Sequence, residues 1–160
     1  INIDDYQDSI NYEKYLGFNL VLSDFKKISI CSSQGNENLK KAEKIFVIGN
    51  KSFHTSSDKL TTAKKDFEEI LDSNFTNDDL LKLMQSPEEF YNFDQKILSN
   101  NHGSEFSARF IKSSIYGTRS TTVMTLDNSN QVEIKEQLYN LRGEKGKIKK
   151  FKFKISDARK

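Results

Sequence analysis

"YGTRSTTVMTLDNSNQVEIKEQLYN", residues 116–140, decides the fold of this chain. Thr121 to Leu126 is a run of β-branched and apolar residues, and Asp127-Asn128-Ser129-Asn130 is a turn. Beyond the turn, Val132, Ile134 and Leu138 alternate with Glu133, Lys135 and Gln137. A period of two is that of a strand with one buried face. The closing "KKFKFKI", residues 149–155, sets Phe151, Phe153 and Ile155 against Lys150, Lys152 and Lys154 and adds a further strand.

Upstream, "GFNLVLSD" (17–24) reads as a buried strand, "DFKK" as a turn and "ISICSS" (28–33) as its hairpin partner. "IFVIGN" (45–50) reads as a short apolar strand between two loops. From Asp58 the period becomes helical, with Leu60, Ala63, Phe67, Ile70 and Leu71 in one stripe. Thr76 and Asp79 resemble a capping box ahead of Leu80, Leu81 and Met84, which predicts a helix over 77–85. Ser86-Pro87-Glu88-Glu89 has the chemistry of another helix start, continued by Phe90, Phe93 and Ile97 to the stop at 99–103. Phe106, Phe110 and Ile111 suggest a fourth helical stretch, and residues 1–16 read as helical or irregular. Strands, then helices, then strands indicate an α+β fold, an antiparallel sheet with helices on one side, in a single domain over 1–160.

The 160 residues are 35% hydrophobic and 30% charged, with a net charge of +2, as in a globular protein with a modest core. No apolar run is long enough to span a bilayer. The small net charge gives no argument for nucleic acid as a partner. Cys31 is the single cysteine, so no internal disulfide forms, which fits a reducing compartment or an organelle interior. Cys31, His54 and His102 make no metal cluster by spacing. The acidic, polar start carries no signal-peptide pattern, and without an initiator Met the chain is expected to begin partway through a longer product.

Arg119 stands at the mouth of a strand among Thr118, Ser120 and Thr121. It is either a guanidinium fork for a carboxylate or phosphate, aided by hydroxyl donors, or a strand anchor paired with an acidic neighbour. Asn19 interrupts an apolar strand, where a buried amide must be hydrogen-bonded, either to lock a loop or to meet a ligand. Asn50, at a strand end beside Gly49, is either a turn residue or a ligand donor. Cys31 in mid-strand reads as a small core residue, with no local group to activate its thiol. The lysines of 145–154 either protect a sheet edge or meet phosphates or anionic lipid.

Three stretches in order, "YLGFNLVLSD" (15–24), "GNKSFHTSSDKLTTAK" (49–64) and the stretch at 116–140, resemble the NRDE family, also called the transport and Golgi organisation protein type two family. Gly17, Phe18, Asn19 and Leu20 match its Gly-Phe-Asn-Leu strand, and Gly49 and Asn50 a strand end followed by Thr55 and Lys59. Tyr116 to Ser120, with Thr122 and Val123, match its Tyr-Gly-Thr-Arg-Ser signature. The likeness spans about residues 12–155. Departures fall on the middle loops: Ile48, His54, Ser56 and Ser57 replace usual residues, Ser33-Gln34 stands where an Arg is usual, and there is no Trp.

The resemblance implies part of an αββα sandwich like that of N-terminal-nucleophile hydrolases. It implies that the chain is the C-terminal part of a larger domain, completed by an absent N-terminal segment or a partner chain. It further implies a cytoplasmic or mitochondrial protein connected with haem movement and with lipid or acyl-coenzyme A metabolism. Three roles follow. One is a binding or trafficking module for haem or a coenzyme A ester, with Arg119, Asn19, Asn50, Thr118 and Ser120 as ligand-binding residues. Another is an amide or thioester hydrolase whose nucleophile lies on the absent segment, so that no catalytic residue falls within 1–160. The last is a degenerate structural subunit of a larger mitochondrial assembly.

Overall fold

A computed structural model describes residues 2–15, 17–25, 27–33, 45–49, 57–86, 88–91, 108–113 and 116–155. They fall into two compact units, Ile1–Lys64 and Lys65–Lys160.

In the first unit, Asn2 caps the short helix α1 (Ile3–Asp8) and Asn11 caps a 3-10 turn (Tyr12–Lys14), each through its side-chain oxygen. The hairpin read at 17–33 forms as β1 (Asn19–Ser23) paired antiparallel with β2 (Ile28–Ser32). The Asp24 carboxylate accepts from Lys27 N at 2.7 Å and closes its turn, in which Phe25 adopts φ +66°. β2 carries the core of this unit, with Ile30 and Cys31 buried. β1 is not the buried strand expected: Leu20 and Leu22 are half-buried, while Asn19 and Val21 are exposed. Ile45–Gly49 pairs in no strand ladder, contrary to the strand read there. Helix α2 (Asp58–Leu71) forms as predicted and buries Ala63; its residues to Lys64 belong to this unit and those from Lys65 to the second.

In the second unit, α3 (Asn77–Gln85) begins at the predicted capping box: Asp79 N donates to Thr76 Oγ1, and Thr76 N to Asp79 Oδ2 at 3.0 Å. The residues read as a third helix instead give β3 (Glu88–Tyr91). The fourth expected helix gives β4 (Phe110–Ser113). These two pair parallel, Glu88 opposite Phe110, within an architecture whose other ladders are antiparallel. Phe110, Ile111 and Ser113 are buried, and the β4 backbone takes its hydrogen bonds from neighbouring segments rather than from a helical turn. Phe93, Ile97 and Phe106 lie outside the described residues.

The deciding stretch folds as read. β5 (Ser120–Leu126) and β6 (Gln131–Tyr139) pair antiparallel, and β7 (Lys145–Lys154) pairs with the far side of β6. Asp127 makes the turn by accepting from Ser129 N at 2.9 Å, Ser129 Oγ at 2.7 Å and Gln131 N at 2.8 Å. Asn130 takes the left-handed conformation, φ +62°, that asparagine tolerates. Helix α3 packs on the sheet face that carries Thr121 and Val123, with Lys135 bonded to Asp78 and Gln85 Nε2 donating to Tyr139 Oη at 2.6 Å. The opposite face holds two cross-strand rows, Met124–Ile134–Phe151 and Leu126–Val132–Phe153. Val132 is fully buried, yet Met124 and Phe151 are each 57% exposed and Phe153 is 48% exposed. The mix of helices and mainly antiparallel sheets is α+β, with α3 packed on the β5–β7 sheet.

Candidate functional site

The segment 116–119 is held by β4. Ser113 Oγ donates to Tyr116 O at 2.5 Å and accepts from Tyr116 N at 2.8 Å. Two residues on, Thr118 N donates to Ile111 O at 3.0 Å, while Thr118 Oγ1 accepts from Ile111 N at 3.0 Å. One threonine thus satisfies both backbone groups of a buried strand residue, as a paired strand would. Gly117 permits this approach: a Cβ there would stand 3.1 Å from Ile111 O and 3.4 Å from Leu141 O. Arg119 O then accepts from Tyr139 N at 2.9 Å, and β5 begins.

Arg119 is therefore fixed by its backbone, and its side chain is exposed. Among the described residues no carboxylate or other acceptor bonds its guanidinium. The hydroxyls around it divide. Thr118 is engaged on β4, and Ser120 is exposed at the start of the strand whose alternation carries Thr122 and Met124 outward. An exposed guanidinium with free donors can receive a carboxylate or phosphate in a bidentate pair.

Asn19 lies in the first unit. It is exposed rather than buried, and its Nδ2 donates to Gly49 O at 2.7 Å. It locks the 45–49 segment, the loop-locking alternative of its sequence reading. Gly49 in turn packs on α2, where an added Cβ would meet Leu60 Cδ1 at 3.1 Å. Lys59, in the first turn of the same helix, has its ammonium pushed below its ordinary pKa by burial. Asn50 and His54 lie outside the described residues. Cys31 is a buried core thiol of β2, with the Tyr12 hydroxyl as its partner. Burial first, and that hydrogen bond second, push the Tyr12 phenol up to about 12.

Sequence reasoning missed a second arginine. Arg109, just before β4, has a side chain only 5% exposed, and its Nη2 donates to Asp66 Oδ2 of α2 at 2.5 Å. Its Nε and Nη1 are buried without a hydrogen-bond partner among the described residues. A lone Arg after a polar stretch carries no periodic signal. Only the fold brings Asp66, forty-three residues earlier, to it.

Among the described residues, no helix is long and apolar enough to cross a membrane. No curated protein sequence matches the chain. The family model described as Transport and Golgi organisation 2 matches residues 2–140, from α1 through β6, and takes in the Asn19 strand and the Arg119 signature. By that match over most of its length, the chain belongs to the Transport and Golgi organisation 2 family, the NRDE family its three motifs resemble.

Proposed function

We propose that the chain is a binding and trafficking module for a ligand with an apolar body and an anionic end, either haem or a long-chain acyl-coenzyme A. Arg119 receives the propionate or phosphate. The reading rests on one observation: an exposed guanidinium without an acceptor among the described residues stands at one end of β5, while large apolar side chains toward the other end of the sheet, Met124, Phe151 and Phe153, are exposed. From Arg119 to Leu126 an extended strand covers about 23 Å. Alternation sets Arg119 on the side of Thr121 and Val123 and Met124 and Leu126 on the other, so the ligand holds its charge at the strand's mouth and passes its hydrocarbon around the strand onto Met124, Leu126, Phe151 and Phe153. Ser120 supplies a further donor beside the guanidinium. Thr118 holds the segment in place, and Asn19 locks the 45–49 segment of the first unit. Such a carrier acts in the cytoplasm or the mitochondrion.

Two titrations of the full chain test the proposal, haem followed by its Soret band and palmitoyl-coenzyme A followed by calorimetry. Saturable binding of either ligand supports it and identifies which one. Absence of both defeats it.

The same exposed apolar side chains favour a second reading, in which a further protein layer, from a preceding segment or a partner chain, packs on Phe151 and Phe153. Native mass measurement separates the two. A stable assembly that excludes both ligands favours the structural role.

A further inference from the structure

The first unit carries a cleft that the Arg119 reading does not use. α1, the 3-10 turn and the start of β1 border an open cleft of about 680 Å³ lined by Tyr6, Ile10, Lys14, Tyr15, Phe18 and Leu20, with Ser9 and Asn11. Small-molecule sites range over about 300–1,000 Å³. The aromatic walls are ordered by one another. Phe18 stacks on Tyr12 at 5.7 Å with an interplanar angle of 8°, and Tyr15 meets Phe18 edge-on at 5.9 Å and 86°. The Phe18 backbone is pinned from both sides, its N donating to Ser33 Oγ at 2.9 Å and its O accepting from Ser33 N at 3.1 Å. Tyr15 is nevertheless 64% exposed and Tyr6 46% exposed, a large aromatic surface left open to water.

The polar lining has one sign. Among the described residues that line the cleft, Lys14 is the only charged one and none is a carboxylate. Among the described residues, the Lys14 ammonium has no hydrogen-bond or ion-pair partner. Of the two polar side chains nearby, Ser9 Oγ donates to Tyr6 O at 2.7 Å, and Asn11 is held through its Oδ1 alone, which accepts from Glu13 N at 3.2 Å. Of the α1 acids, Asp4 is paired with Lys27 at 2.7 Å. The groups left to meet a ligand are aromatic faces, two phenol hydroxyls, the Asn11 amide N–H donors and one ammonium. Aromatic faces select a flat ring, and the ammonium and phenols select an anion.

We propose that this cleft binds a flat aromatic ring carrying one anionic group, the ring against Tyr15 and Phe18 and the anion at Lys14. The site lies wholly in the first unit, so it stands or falls apart from the Arg119 proposal. The test titrates the isotopically labelled full chain with naphthalene-2-carboxylate and with its neutral amide, read by NMR. The acid should give saturable shifts centred on Tyr6, Tyr15 and Phe18. It should bind about three- to fivefold more tightly than the amide, the yield of one exposed charge pair. Lys14→Gln should erase that difference, and Tyr15→Ala should weaken both ligands. Because both side chains are exposed, neither substitution should disturb the hairpin resonances. Non-saturating shifts, shifts centred elsewhere, equal binding of acid and amide, or an acid preference that survives Lys14→Gln would each overturn the proposal.

Discussion

Removing Asp66 should cost far more stability than removing the arginine it pairs with. The Arg109 side chain is 5% exposed, the Asp66 side chain is 36% exposed, and one contact of 2.5 Å joins them. Asp66→Ala leaves a permanently charged guanidinium buried with no counter-charge. Breaking a buried pair in this way costs about 3–5 kcal/mol. Water reaching the partly exposed Asp66 position offsets part of that, so about 2–4 kcal/mol is expected. Arg109→Met removes the charge together with two nitrogens, Nε and Nη1, that lack partners among the described residues. Each buried unsatisfied group carries a penalty of about 1–3 kcal/mol. The Asp66 carboxylate left behind can be hydrated. Arg109→Met should therefore lie within about 1 kcal/mol of wild type, on either side. Urea unfolding followed by circular dichroism, comparing midpoints at constant slope, measures both. Equal costs for the two variants, or a larger one for Arg109→Met, would refute the reasoning and show that Arg109 packs rather than balances charge.

Other substitutions follow from the geometry. Gly117→Ala forces a methyl against two backbone oxygens and should destabilise by about 1–3 kcal/mol in the same urea assay. Gly146→Ala, where the nearest atom would be 3.5 Å away, should cost little. Asp127→Ala strips three donors of their acceptor in the β5–β6 turn and should lose about 1–2 kcal/mol, with Asp127→Asn milder because it keeps an oxygen in place. The Tyr12 phenol, raised from 10.0 to about 12, keeps its proton in the fold after the unfolded chain has lost it. Its contribution is whole below pH 10 and declines as pH rises from 10 to 12, opposite in sign to a depressed carboxylate. Ultraviolet titration should show one tyrosine ionising last, and Tyr12→Phe should flatten that alkaline decline.

The parts of the fold legible in the sequence were those whose signal is local and repeated. β5 to β7 alternate over long stretches, and Thr76 and Asp79 state a helix start in two residues. β3 and β4 were misread because short aromatic runs such as Glu88–Tyr91 and Phe110–Ser113 are too brief to distinguish period 2 from period 3.6. What settles them is a parallel pairing between segments some twenty residues apart. At the site, the prominence of Arg119 was legible, but the division of labour around it was not. The Thr118 hydroxyl serves Ile111, seven residues earlier and on another strand. Asn19 looked buried because its neighbours are apolar, whereas β1 turns it outward to Gly49. Arg109 and Asp66 meet through packing that no local pattern announces.

The central claim is that the Arg119 guanidinium receives the anionic end of a carried ligand. The most direct test compares ligand affinity across wild type, Arg119→Lys and Arg119→Ala, using whichever of haem and palmitoyl-coenzyme A binds. The account predicts about a tenfold loss for Arg119→Ala, near the lower end of what a charged hydrogen bond contributes. It predicts a smaller loss for Arg119→Lys, which keeps the charge but not the fork. Equal affinity in all three proteins would contradict the account.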